Sequence, residues 1–181
     1  MAVNAVSTWH TVTPTVLGEL TLVRDARAMR GLYFPHHWSR PDPAAFGPRR
    51  DEGFDREIEQ LDEYLEGRRH SFDLAVEPGG DEFQRRVWNE LRQVPYGDTV
   101  TYGDLAGRLR DGATAQQVGA AVARNPLCIV IACHRVVGAG GKLTGYAGGL
   151  ARKKHLLDLE QSAQPPSLLF RDHPGPAVGA G

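Results

Sequence analysis

Residues 1–35 alternate apolar and polar positions in short runs, Trp9-His-Thr-Val-Thr13, Leu20-Thr-Leu-Val23 and Gly31-Leu-Tyr-Phe34. This period of two predicts strands. Pro14, Gly18 and the stretch 24–30 separate them, which predicts a small antiparallel sheet. Pro41-Asp-Pro43 and Gly47-Pro-Arg-Arg50 read as an irregular crossing segment. The period then changes: Phe54, Ile58, Leu61, Tyr64 and Leu65 line one face of a helix that Gly67 ends, with acids on a solvated face. Phe72–Val76 reads as a further strand, and Pro78-Gly-Gly80 as a domain boundary.

Beyond residue 80 the pattern is mostly helical. Asp81 with Gln84 is a capping box, and Phe83, Val87, Trp88 and Leu91 follow at helical spacing until Pro95-Tyr-Gly97. Thr101 with Asp104 caps a short helix through Leu105 and Leu109 that ends at Gly112. Thr114 with Gln117 opens a third, which Asn125-Pro126 stops. Two short helices around a Gly-containing turn match a helix-turn-helix unit. The third helix turns Val118, Ala121 and Val122 inward. Outward it shows Gln116, Ala120 and Ala123, small enough to press on a DNA groove or on a neighbouring domain. Ile129–Ala132 reads as a short buried strand breaking into a glycine-rich loop. A last helix runs from about Leu150 to Glu160, and 162–181 reads as a disordered tail.

At 41% hydrophobic content the 181 residues support a real core. No apolar run reaches membrane length, and the start lacks a signal-peptide pattern. A net charge of −1 hides an asymmetry: residues 1–80 carry nine Lys+Arg against thirteen Asp+Glu, residues 81–160 eleven against eight. The basic half suits a polyanionic partner. Cys128 and Cys133 form neither a CxxC nor a zinc spacing, so a cytoplasmic protein with reduced thiols and no metal is expected.

Cys133-His134-Arg135 ends the apolar run. Because strand side chains alternate, the thiol and imidazole can cooperate only where the backbone turns. Beside His134 and Arg135 the thiol has neighbours that favour thiolate, and a buried structural cysteine stands as the alternative. His36-His37 has no further ligands at metal spacing and reads as a solvated loop. Tyr146 stands in Lys142–Gly149 as an aromatic wall to a close-approach loop. Leu156 and Leu157 put Glu160 on the apolar stripe, so its carboxylate is either buried with a partner or exposed by fraying. A buried acid, a His and a Cys would make a thiolate-generating relay.

Ala132-Cys-His-Arg-Val136, with Asn125-Pro126 before it and Gly145-Tyr-Ala-Gly-Gly149 after it, resembles the O6-alkylguanine-DNA alkyltransferase family. Phe83–Trp88, Val94–Gly97 and Thr101–Leu105 add weaker matches, and the similarity covers about Thr15 to Glu160. The resemblance implies an α+β fold: a small N-terminal α/β domain with an antiparallel sheet (1–80) and a mainly helical domain with the helix-turn-helix (81–161). It implies a monomer that repairs O6-alkylguanine, and O4-alkylthymine, in double-stranded DNA in one turnover, docked in the minor groove with the base flipped out. No cofactor is implied. Carried over, Cys133 takes the alkyl group and His134 acts as base through a water. Glu160 orients the histidine and Asn125 braces the turn. Tyr102 presses on the phosphate, Tyr146 and Lys153 belong to the substrate pocket, the Ala147 N–H faces O6, and carbonyls at Cys133 and Val136 read the exocyclic amine. Thr101, Ala115, Gln116, Gln117, Ala120, Ala123, Arg124 and Arg135 form the DNA face.

Two positions depart from the family. Gln116 stands where an arginine usually fills the space of the flipped base, and Ala132 replaces a proline, restoring an N–H and loosening φ. They keep a second class open, a protein that binds alkylated guanine without transfer. A turnover Cys–His hydrolase is a third class, disfavoured by the helix-turn-helix.

Overall fold

The computed structural model describes residues 7–163. The first three strands are β1 (Trp9–Thr15), β2 (Gly18–Arg24) and β3 (Met29–Tyr33), paired antiparallel in that order. β1 continues through Pro14 rather than breaking there, because an edge strand needs no N–H on its open side. A 3₁₀ turn, Pro43–Phe46, lies in the crossing segment before helix α1 (Asp55–Leu65). α1 buries Leu61, Tyr64 and Leu65 as its pattern predicts. Its acids are not all solvated, however: Glu57 is buried against Arg24 at 2.7 Å.

Phe72–Val76 is not a strand. It makes one bridge, with the Met29 N–H donating to Ala75 O (2.9 Å) and the Glu77 N–H to Met29 O (3.0 Å). The chain then passes Gly80, where a Cβ would meet the Trp88 ring at 2.5 Å. Helix α2 (Glu82–Leu91) carries both halves of its capping box. Two-residue β4 (Val100–Thr101) leads into α3 (Tyr102–Leu109), and α4 (Ala115–Ala123) completes the helix-turn-helix. Thr101 caps α3 with its hydroxyl, which donates to Asp104 Oδ2 (2.7 Å) in place of a reciprocal bond from the Thr101 N–H, and Arg110, in the left-handed region, ends the helix before Gly112 is reached.

Ile129–Ala132 forms a turn, not the expected strand. Ile129 has φ +70°, and the Val130 and Ile131 N–H groups donate back to Cys128 O and Leu127 O, both at 2.8 Å. A β-branched run is as compatible with a buried turn as with a strand when flanking backbone supplies the bonds. The turn leads into a 3₁₀ turn (Cys133–Arg135) and then β5 (Val136–Val137), which pairs parallel with β4. That pairing sets the start of α3 beside Cys133. Helix α5 (Leu150–Ser162) reaches two residues past Glu160, so Ser162 belongs to the helix and not to the tail; the remainder of the tail assignment falls outside the described residues.

One apolar cluster joins both halves: Leu20, Leu22, Met29 and Leu32 from the sheet, Leu61 and Tyr64 from α1, and Val87, Trp88, Leu105, Val118 and Leu156 from the later helices. The Leu32 N–H donates to Pro126 O at 2.7 Å, which ties the sheet edge to the segment that carries the cysteines.

Candidate active site

Asn125 shapes the cysteine turn from inside. Its Nδ2 donates to Ile131 O (2.8 Å) and its Oδ1 accepts from the Leu127 N–H (3.0 Å), which closes the loop from 125 to 131 on one side chain. Cys133 and His134 then occupy a 3₁₀ turn and are both buried, the arrangement that strand alternation would forbid.

Glu160, fully buried on α5, is the centre of charge. It accepts from His134 Nε2 (2.7 Å), from Arg135 Nε (2.9 Å) and Nη2 (2.9 Å), from the Gly97 N–H (2.9 Å), and from the Tyr64 hydroxyl. Burial pushes its carboxyl pKa up, but the His134, Arg135 and Tyr64 hydrogen bonds outweigh it and hold the pKa at about 2. An ionised Glu160 fixes the proton of His134 on Nε2. Nδ1 is then left as a base, and it is buried with no hydrogen-bond partner among the described residues. Burial lowers the histidine pKa, with help from the Arg135 and Lys153 charges and against the pull of Glu160, so the ring rests neutral.

Cys133 opens onto a cavity of about 330 Å³ between α3, α4 and the glycine-rich loop. Tyr102, Val122 and Ala123 form one side, Gly145, Tyr146 and Ala147 the other, and Trp38, 63% exposed, stands at the rim. The loop closes on the sheet at Gly148, where a Cβ would lie 2.5 Å from the Phe34 ring. The Cys133 thiol pKa is lowered: hydrogen bonds from Cys128 and Asn125 and the Lys153 charge outweigh burial.

The structure brings Cys133, His134, Glu160 and Asn125 together with Tyr102, Tyr146 and Ala147. Ala115, Gln116 and Ala120 are exposed on α4, Arg124 is exposed at its C-cap, and Ala123 is half-buried. Gln117 turns its side chain back onto the Thr114 N–H (2.8 Å), and Thr101 spends its hydroxyl on the α3 cap. Two assignments need correction. Arg135 is not on the DNA face: it is buried, bound to Glu160 and donating to Val94 O at 2.6 Å, because a buried carboxylate needs a cation. Lys153 does not line the cavity. Its fully buried Nζ holds Val136 O and Thr144 O at 2.5 Å each and Gly145 O at 3.1 Å, pinning the loop, and burial lowers its pKa to about 8. The Val136 carbonyl, which the resemblance offers to the substrate amine, accepts one bond from Lys153 and keeps a second lone pair.

The sequence reading missed Tyr64 and Trp38, and it placed His37 in solvent. Tyr64 had a usable signal: a phenol on a buried helical stripe must find a partner. His37 is buried, 3.6 Å from Cys128 Sγ, because the chain after β3 folds back with the His37 N–H donating to Phe34 O. Among the described residues, no group of three or more His, Cys, Asp or Glu side chains could hold a metal.

Two family models match: 6-O-methylguanine DNA methyltransferase, ribonuclease-like domain, over residues 9–78, and the DNA binding domain of the same family over 82–162. The methylated-DNA–protein-cysteine methyltransferase of Mycobacterium tuberculosis is 39% identical over 160 residues, covering 87% of this chain and 92% of that protein. The inducible enzyme of that name from Bacillus subtilis is 37% identical, covering 83% and 93%. A crystal structure of Mycobacterium tuberculosis OGT in complex with DNA superposes with a TM-score of 0.80 at 36% identity, over 87% of this chain and 96% of that one. The chain belongs to the 6-O-methylguanine DNA methyltransferase family.

Proposed function

We propose that Cys133 is the alkyl acceptor of this protein and that His134, Glu160 and Asn125 prepare it. The reaction is direct reversal of alkylated guanine in DNA by transfer to a protein cysteine. The observation that carries the assignment is the cavity with Cys133 at its floor, backed by a neutral imidazole whose free nitrogen is set by an ionised acid.

The thiol proton passes to His134 Nδ1 through a water, and Glu160 balances the charged ring. The sulfur lone pair attacks the alkyl carbon in line as the carbon–O6 bond breaks. The released electron pair returns guanine to its lactam form, and a proton goes to N1. A thioether is a poor leaving group, so the protein acts once.

The base reaches the cavity extrahelically. The small residues of α4 admit the minor groove, and Tyr102, at the start of α3, stands where the phosphate of a flipped nucleotide would pass. The Ala147 N–H meets O6. We divide the chain at Gly79-Gly80, where one family model ends and the next begins. One chain supplies every proposed site residue, in keeping with a monomer. Two free cysteines suit a reducing cytoplasm.

The test is intact mass after incubation with excess duplex bearing one O6-methylguanine, followed by peptide mapping. One added methyl on Cys133, absent in Cys133→Ala, is the expected result. Binding of the damaged duplex without a mass change would replace this reading with damage recognition alone.

A further inference from the structure

A second thiol lies behind the acceptor, and the mechanism above gives it no role. Cys128 is fully buried, with its Sγ 3.9 Å from Cys133 Sγ and 3.6 Å from His37 Nδ1. Cys128 is absent from the cavity wall, whereas Cys133 is part of it. The approach of the sulfurs depends on backbone strain. Ile129, a β-branched residue in the left-handed region, folds the chain so that positions five apart face each other. Such strain persists where surrounding bonds impose it, and here Asn125 and the Leu32–Pro126 bond do so.

We propose that Cys128 is a positioning residue for the transfer: its S–H donates to the Cys133 sulfur as that sulfur becomes thiolate, while His37 Nδ1–H donates to Cys128 from behind. The inference rests on Cys133 being the acceptor. No bond to sulfur is made or broken in this relay. When His134 removes the Cys133 proton, the Cys128 S–H turns toward the new charge, and the three groups form a line of donors that ends on the nucleophile. His37 is suited to the end of the line. Burial, with the Arg40 charge, lowers its pKa to about 4, so the ring is neutral and carries one proton to give. Its Nε2 has no partner among the described residues, which leaves Nδ1 as the nitrogen with a neighbour to serve. The Cys128 thiol itself stays protonated, its pKa raised by its bond to Cys133 and by burial.

The other groups facing Cys133 are His134 on its own turn, Lys153 from α5 and Tyr102 from α3; Tyr146 of the glycine-rich loop faces both thiols and lies against Cys128, Tyr33 faces Cys128 and His37, and Arg40 flanks His37. None of the tyrosines ionises near neutrality, since burial raises each of them. Lys153 is already held by three carbonyls. Of the side chains that hydrogen-bond Cys133, Cys128 lowers its pKa most, so removal of Cys128 takes away the leading donor and leaves Asn125.

The full chain, kept in reductant, would be labelled with iodoacetamide over a range of pH, and Cys133 modification followed by peptide mass. Transfer from O6-methylguanine duplex would be timed over the same range. In Cys128→Ala the midpoint for Cys133 labelling should move up by about one pH unit, lowering the rate at neutral pH roughly tenfold. The high-pH plateau should stay within about twofold. Cys128→Ser should restore most of the neutral rate, and His37→Asn should move the midpoint in the same direction by less. A uniform loss at every pH, or an unmoved midpoint in Cys128→Ala, would overturn the proposal. Should that variant fail to fold, an unmoved midpoint in His37→Asn would do the same. A moved labelling midpoint with no methyl transfer in any variant would leave the thiol relay standing and sink the acceptor assignment instead.

Discussion

Glu160 shows how much a single position can be made to say. Its place on the apolar stripe of the last helix required either a partner or an exposed end, and the structure answers with five donors. Glu160→Gln would leave Arg135 buried without its anion, a loss on the order of 3–5 kcal/mol for a broken buried pair. It would also free the His134 tautomer, so transfer should slow by roughly 100-fold or more even in molecules that remain folded, by analogy with the loss of an orienting acid. Stopped-flow transfer and urea unfolding on the same preparation separate the two effects. Tyr64→Phe is milder: the bond to the charged Glu160, worth roughly 1.5–3 kcal/mol, is lost together with the 3.2 Å contact to His134 Nε2, and the site keeps every charge. A Tyr64→Phe protein with unchanged stability would show that the phenol only fills space. Tyr64 was legible in principle by the argument that found Glu160, but a tyrosine on an apolar face is satisfied as a ring long before its hydroxyl is considered. Arg135 was misread for a related reason, because a cation beside a nucleophile looks like a DNA contact until a buried carboxylate is known to need it.

Helices were legible here because their ends are written in short-range chemistry. Asp81 with Gln84 and Thr114 with Gln117 both close reciprocal caps as their spacing predicts. The segment 129–132 was not, since its fate depends on Leu32, Asn125 and a left-handed Ile129 far more than on its own β-branched residues. Ala132 belongs to that segment, and its φ of −74° is already what a proline ring imposes. Ala132→Pro should therefore stabilise the protein by roughly 0.4–1 kcal/mol through the unfolded chain. Destabilisation in a thermal melt would show that the Ala132 N–H or the geometry of Ile131 matters to the turn. On α4, Gln116 is exposed beside the capped N-terminus, on the face we propose for the duplex. Gln116→Arg should tighten duplex binding, and the slope of log affinity against log salt should steepen by close to one. Equal affinity at every salt concentration would mean that position 116 does not touch the duplex.

At the scale of the whole molecule the two halves look separable in sequence, with Pro78-Gly-Gly80 between an acidic part and a basic one, and two family models divide there. The packing tells a different story. The sheet and α1 share one apolar cluster with α2 through α5, and Tyr64 of α1 reaches Glu160 of α5. Leu32 and His37, both from the first half, hold the cysteine turn. A sequence pattern marks which faces are apolar but not which faces meet, so this coupling was hidden. Its consequence is a single cooperative unfolding transition, with the charges of the site setting its acid limit. Glu160 has its pKa lowered from 4.5 to about 2 in the folded state, so its contribution is complete above about pH 4.5 and is lost as pH falls toward 2. That contribution is roughly 2–3 kcal/mol. His37 works in the same direction from higher pH: kept neutral down to about 4 when folded, it costs stability as soon as the unfolded chain takes up its proton near 6.5. Urea midpoints should fall steadily from pH 7 to pH 3, and tryptophan fluorescence and far-UV circular dichroism should give coincident curves at each pH. Replacing both groups, His37→Asn with Glu160→Gln, should flatten that fall at the cost of a lower midpoint at pH 7. Two resolved transitions would show instead that the first half unfolds without the second. In that case the cysteine turn would keep its shape on Asn125 alone.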